Sequence, residues 1–248
     1  MIARTWLEMG MPITVLIADP AATEADIDAV ADWFTAVNAR YSPFLASSEV
    51  SRLNAGDLNR DTVSAEFAAI LARCDEARRQ TGGAFDITHH GRIDPSGYVK
   101  GWAANQASAI LTGRGLDNHV VSAGGDLQAM GVNAEGAPWQ VGIRNPFRHD
   151  QHVRTLAISD AGVATSGTDV RGNHIYNPRT SEPAETELVS LTVVAPTITE
   201  ADLMATAAFA MGSDGLAFLA IHAHLDAYAI DRHGIATFTP GFSRHVQS

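Results

Sequence analysis

The chain has 248 residues, 46% of them hydrophobic, enough to bury a sizeable core in one large domain or two small ones. Its net charge is −11, from 28 acidic and 17 basic side chains, with no run of five or more basic residues, which argues against nucleic acid as a partner. The single cysteine, Cys74, excludes an intramolecular disulfide, and no apolar run approaches the roughly 18 residues of a membrane span.

Arg4–Met9 and Ile13–Ala18 read as two strands around Gly10-Met11-Pro12. Thr23 then offers an N-cap with Asp26 at the third helical position, and Ile27, Val30, Phe34 and Val37 follow at helical spacing to about Arg40. The segment Tyr41–Asn59 reads as loop. Ser64 caps a second helix with Phe67, Ile70, Leu71, Cys74 and Ala77 on one face, which makes Cys74 a buried, inert thiol. Gly82-Gly83 ends that helix.

Gly82 to Gly101 follows, with five glycines, Asp86, Asp94 and Lys100 between two helical patterns. Glycines let main chain approach a ligand, a lysine beside them points to an anion, and the carboxylates point to a metal or a hydroxylated ligand. A polar hairpin between helices is the plainer alternative.

A third helix is predicted over Trp102–Leu111, ended by Gly113 and Gly115. Val120–Ala123 is a buried strand that turns at Gly124-Gly125-Asp126 into Leu127–Gly131. Further short strands are Gln140–Arg144, Thr155–Ser159, Gly162–Ser166 and His174–Tyr176, and Leu188–Ala195 is the most strand-like stretch before Pro196 stops it. Thr199 is taken as the cap of a fourth helix through Met211. A short helix over Leu216–Ile221 and strands at Ala227–Ile230 and Ala236–Phe238 complete one α+β domain of mainly antiparallel sheet with packed helices.

On the fourth helix Asp202 and Thr206 stand four residues apart on one face, with small Ala205 beside them. A carboxylate, a hydroxyl and a nearby carbonyl are hard oxygen donors that suit Mg²⁺. The alternative is that Asp202 only favours the helix dipole. His174, ahead of Asn177-Pro178-Arg179, can take a proton from an attacking hydroxyl near neutral pH; a surface histidine is the alternative. Ser166, Asp169 and His174 lack the Gly-x-Ser-x-Gly frame of a hydrolase nucleophile. His89-His90 and His222/His224 lack a third ligand at metal spacing, and no Walker or Gly-x-Gly-x-x-Gly phosphate loop occurs.

Several motifs, taken in order, resemble those of the FAD:protein FMN transferases, the ApbE-like flavin transferases, over nearly the whole chain. They are Met9-Gly10, Ser48-Glu49-Val50-Ser51-Arg52-Leu53-Asn54, Gly83-Ala84-Phe85-Asp86, and Asp94 through Lys100-Gly101. Ala123-Gly124-Gly125-Asp126, Thr165-Ser166-Gly167 and His174-Ile175-Tyr176-Asn177-Pro178-Arg179-Thr180 follow. Val193–Thr197 and Ala201-Asp202-Leu203-Met204-Ala205-Thr206 complete the set.

The resemblance implies one T-fold-like domain over residues 1–248 and FAD contacts at Met9, Phe44, Ala84, Phe85, Asp86, Asp94, Lys100 and Tyr176. It implies Mg²⁺ at the Gly97 carbonyl, Asp202, Ala205 and Thr206, with His174 assisting the acceptor hydroxyl. The implied reaction cleaves FAD as substrate, attaches FMN to a Thr or Ser of an acceptor protein and releases AMP. An FAD pyrophosphatase and a non-catalytic flavin-binding protein are the alternatives.

The chain departs from the family pattern at Phe44, where tyrosine is common, and at Tyr176-Asn177 in place of Ile-Asp. It departs also at Ser181 in place of glycine and at Asn105, where aspartate is frequent. Family members are commonly exported or lipid-anchored. The N-terminus here lacks a basic region, an apolar block and a cleavage site, so the expected compartment is the cytoplasm, with an exported form lacking its leader as the alternative.

Overall fold

The computed structural model describes residues 1–168 and 186–247 in full, and 176–177 and 182–183 as backbone. Its framework is an eight-stranded sheet built on alternating apolar runs. In chain order the strands are β1 (Ile2–Glu8), β2 (Met11–Ile17), β5 (His119–Ala123), β6 (Asp126–Met130), β9 (Ala161–Gly167), β12 (Leu188–Ala195), β13 (Asp226–Asp231) and β14 (Ala236–Phe238). They lie side by side in that order, and every neighbouring pair is antiparallel.

Period-two alternation divides the sheet's side chains between two faces. Val121, Ala123, Leu191, Val193 and Ala195 enter the larger core, shared with helices α1 (Glu24–Tyr41), α3 (Ala65–Gln80), α4 (Ser96–Thr112) and α5 (Ile198–Met211). Val120, Val194, Tyr228 and Ile230 point the other way. There the hairpin β7 (Trp139–Asn145) and β8 (Arg148–Ile158), with the 3₁₀ turn Pro240–His245, covers them with Trp139, Leu156 and Phe242.

Smaller elements are α2 (Glu49–Ala55), α6 (Gly215–Ala220), and two short antiparallel pairs. These are β3 (Thr88–His89) with β4 (Arg92–Ile93), and β10 (Tyr176–Asn177) with β11 (Glu182–Pro183). Against the expectation that no apolar run approaches the length of a membrane span, residues 198–220 are apolar and long enough to cross one by length and composition, and half of their 18-residue apolar window is buried inside this fold.

The structure moves several predicted boundaries. The stretch predicted as loop contains α2, because Ser48 caps it: its Oγ accepts from Ser51 N–H at 3.0 Å and donates to Ser42 C=O at 2.6 Å. The third helix begins at Ser96, not Trp102, and carries Gly97 and Gly101 inside it. The fourth begins after Thr197, not Thr199: Thr197 is extended and its hydroxyl accepts from Glu200 N–H at 3.3 Å. Of the strand predicted over His174–Tyr176, residues 174 and 175 lie outside the described residues.

Candidate active site

Helix α4 contacts α5 at Gly101. A Cβ there would lie 3.0 Å from Ile198 C=O and 3.1 Å from Asp202 Oδ2, so glycine is what allows the two helices to approach this closely. Further along the sheet, Gly162 of β9 admits the start of α5: its Cβ would stand 2.1 Å from Ile198 N. Gln128 of β6 completes the seat, accepting from Ile198 N–H at 2.7 Å. Two glycines and one amide thus set the position of Asp202.

Asp202 is buried, 4% exposed, and does not serve merely as a charge in the first helical turn; Glu200 holds that place. Its Oδ1 lies 3.0 Å from Lys100 Nζ, while its Oδ2 is buried without a hydrogen-bond partner. Lys100 also pairs with Asp126, the first residue of β6 after the Gly124-Gly125 turn, where both glycines have positive φ. Asp126 Oδ1 accepts from Thr165 N–H of β9 at 2.8 Å, and Thr165 Oγ1 lies 2.9 Å from Thr192 Oγ1. Three charges from α4, β6 and α5 therefore meet in one buried place.

Burial raises the Asp202 carboxyl above the usual carboxylate range, against the pull of Lys100 and of the Gly101 N–H and with a push from Asp126. Burial also works against the Lys100 ammonium, but Asp202 and Asp126 outweigh it and hold its pKa above the ordinary lysine value. Thr206 follows Asp202 by one helical turn and is half-buried, and Ala205 is fully buried. Gly97 precedes Gly101 by one turn of α4, with the Phe85 ring 3.5 Å from where its Cβ would sit. Among the described residues no three His, Cys, Asp or Glu side chains form a metal cluster. The donors on offer are one carboxylate, one hydroxyl and main-chain carbonyls, a hard oxygen set.

The other expected flavin residues are spread over several turns, loops and strand β10. Met9 occupies the β1–β2 turn at φ 53°, followed by Gly10 at φ 72°. Phe44 is 91% exposed. Phe85 is buried, its N–H donating to Thr81 Oγ1 at 3.0 Å, whereas Ala84 is only partly covered. Asp86 takes Arg78 Nε at 2.6 Å and Thr88 N–H at 2.8 Å. Asp94 Oδ1 accepts from Ser96 N–H at 3.0 Å and so braces the start of α4. Tyr176 is described as backbone only, in β10, and His174 and Asp169 lie outside the described residues. Ser166 is buried within β9.

Two residues with a structural hold on this region were not singled out individually from sequence. Asp126 was read only as part of a turn motif, and Asn54 only as the end of another. Their spacing from the helices they serve gave no local signal.

A family model described as the ApbE family matches residues 9–91 and 89–229. The FAD:protein FMN transferase of Escherichia coli (strain K12) is 32% identical over 151 residues, 57% of this chain and 43% of that protein, so the match takes in less than half of that relative's length. The FAD:protein FMN transferase of Haemophilus influenzae is 26% identical over 281 residues, covering 88% of this chain and 80% of its own. Flavin transferase ApbE from Vibrio cholerae has a solved structure that superposes with a TM-score of 0.88 at 21% identity, covering 98% of each chain. The ApbE protein of Thermotoga maritima gives 0.87 at 20% identity, over 100% of this chain and 99% of its own. With its fold shared from end to end and its sequence matched from Met9 to Ala229, the chain belongs to the ApbE family.

Proposed function

We propose that this chain is a Mg²⁺-dependent flavin transferase. It cleaves FAD, attaches FMN through a phosphoester to a Thr or Ser hydroxyl of an acceptor protein, and releases AMP. The observation that carries the reading is the buried Asp202 carboxylate, one oxygen of which has no hydrogen-bond partner, at the foot of a glycine-lined helix contact. Relatives named FAD:protein FMN transferase support the same reaction.

Asp202, the Thr206 hydroxyl and main-chain oxygens at Gly97 and Ala205 would hold Mg²⁺. When bound, the ion supplies positive charge against the pyrophosphate and the departing AMP. The chain's own residues do the rest. Lys100 adds a second positive charge beside that place. Met9, Ala84, Phe85, Asp86 and Asp94 line the flavin, the exposed Phe44 ring offers it a stacking face, and Tyr176 is assigned to it from its motif alone. The acceptor oxygen bonds to the FMN phosphorus, the bond from that phosphorus to the AMP oxygen breaks, and the hydroxyl proton passes to His174. That histidine is assigned from its motif alone.

The test is mass spectrometry of candidate acceptors after incubation with FAD and Mg²⁺, where a mass gain matching FMN is expected together with AMP. His174→Ala is expected to keep FAD binding and to lose transfer by about 10²- to 10⁴-fold. Transfer at the wild-type rate in that variant removes His174 from the mechanism. Equally fast release of FMN and AMP without any acceptor would replace the transferase by a pyrophosphatase.

A further inference from the structure

Lys100 occupies Oδ1 of the carboxylate that the proposed function gives to a divalent cation. Two cations on one carboxylate repel each other, and inside a buried site that repulsion is screened far less than in water. The fold contains a remedy. Asp126 presents its Oδ2 to the same ammonium from the opposite element, β6. It cannot swing away easily, because its Oδ1 is tied to Thr165 N–H of β9 at 2.8 Å and its side chain is only 7% exposed. The ammonium therefore has a second, fixed carboxylate to rest on. Asp202 keeps one buried oxygen with no partner while Lys100 holds the other.

We propose that Asp126 is a positioning residue for the cation site: it carries the Lys100 ammonium when a divalent cation takes Asp202, so that lysine and metal exchange places on that carboxylate. The inference rests on the reading of Asp202 as a cation ligand. Without Asp126 the ammonium has Asp202 alone, and a cation must displace it outright. Without Lys100, Asp202 stands open and needs no exchange. Asp126 acts through Lys100, so its effect vanishes when Lys100 is gone; a direct ligand or a simple field effect would persist.

The experiment measures Mn²⁺ binding to the full chain without FAD, by electron paramagnetic resonance and calorimetry, for wild type, Asp126→Asn, Lys100→Met and the double variant. Asp126→Asn is expected to weaken binding by about tenfold or more, the loss typical of residues that orient metal ligands. Lys100→Met is expected to tighten it. In the Lys100→Met background, Asp126→Asn should change affinity by less than about twofold, the mark of a shared partner in a double-mutant cycle. An equal loss in both backgrounds, or no loss in either, overturns the proposal. Should Asp126→Asn fail to fold, Asp126→Ser takes its place in the same cycle, with and without Lys100→Met, and the same two outcomes decide. If the wild-type chain takes up no Mn²⁺ while Lys100→Met also takes up none, the reading of Asp202 as a ligand fails, and this inference with it.

Discussion

Asn54 and Ile93 exchange two hydrogen bonds of 2.8 Å, the Asn54 amide donating to Ile93 C=O and its oxygen accepting Ile93 N–H. A side chain here completes the hydrogen bonding of a strand residue. It ties α2 to β4, one residue ahead of Asp94, whose own N–H reaches Ile87 C=O at 2.7 Å. Asn54→Ala leaves both main-chain groups of Ile93 without that partner and is expected to cost about 1–3 kcal/mol. Denaturant unfolding measures the loss, and an unchanged midpoint contradicts the clasp.

Gly162 and Gly97 make a contrasting pair. An added methyl at Gly162 meets the backbone of Thr197 and Ile198 at 2.1–2.4 Å, where neither strand nor helix can yield. Gly162→Ala is expected to cost about 3 kcal/mol or more, at the upper end for overpacking. At Gly97 the nearest atom is a Phe85 ring carbon at 3.5 Å, ordinary contact, and α4 is already helical there. Gly97→Ala should fold at least as stably as the parent. Thermal unfolding of the two variants reads both, and equal melting temperatures would contradict the geometry.

His119 gives the fold a pH dependence. Its Nδ1 donates to Leu116 C=O at 2.7 Å, so the neutral ring accepts the Ser108 hydroxyl at Nε2, also at 2.7 Å. Burial lowers its pKa from the usual 6.5, which the hydrogen bond to Leu116 partly offsets. The unfolded chain therefore binds a proton at a pH where the folded chain does not. Stability from this group is present above the unfolded value and is lost as pH falls through the folded one. Denaturant unfolding at about pH 7.5 and about pH 5.5, either side of the ordinary histidine value, should show a smaller drop for His119→Gln than for the parent. An equal drop would place the sensitivity elsewhere.

Cys74 is 1% exposed in the face of α3, and burial pushes its thiol up to about 12. A thiolate-directed reagent should leave the native protein unmodified and label one site after denaturation. Rapid labelling of the folded chain would mean that α3 opens readily.

Much of the fold was legible because its signals are local. Alternation is visible in β2, a short apolar run marks β5 and Val, Leu and Thr content marks β12, and the apolar face of α3 matched the buried set Phe67, Ile70, Leu71, Cys74 and Ala77 residue for residue. What escaped was set by distant partners. Gly101 looks like a helix breaker until α5 is placed against it. Ser48 looks like loop until its hydroxyl finds both Ser51 and Ser42. At the site, Asp202 and Thr206 stood out through helical spacing, and Lys100 through its glycines. The role of Asp126 needed the sheet, because β6 comes to lie beside β9 only after a separate hairpin has been inserted between them in sequence.

The seating of α5 also orders events during synthesis. Gly162, Gln128 and Lys100 all precede it, yet each makes a contact with residues between Pro196 and Asp202. A nascent chain stopped before Pro196 would hold a paired lysine and aspartate under an uncovered apolar sheet. Completion of the Asp202–Lys100 ion pair and closure of the main core thus coincide, so ribosome-bound fragments that end before Pro196 should be the ones that chaperones hold.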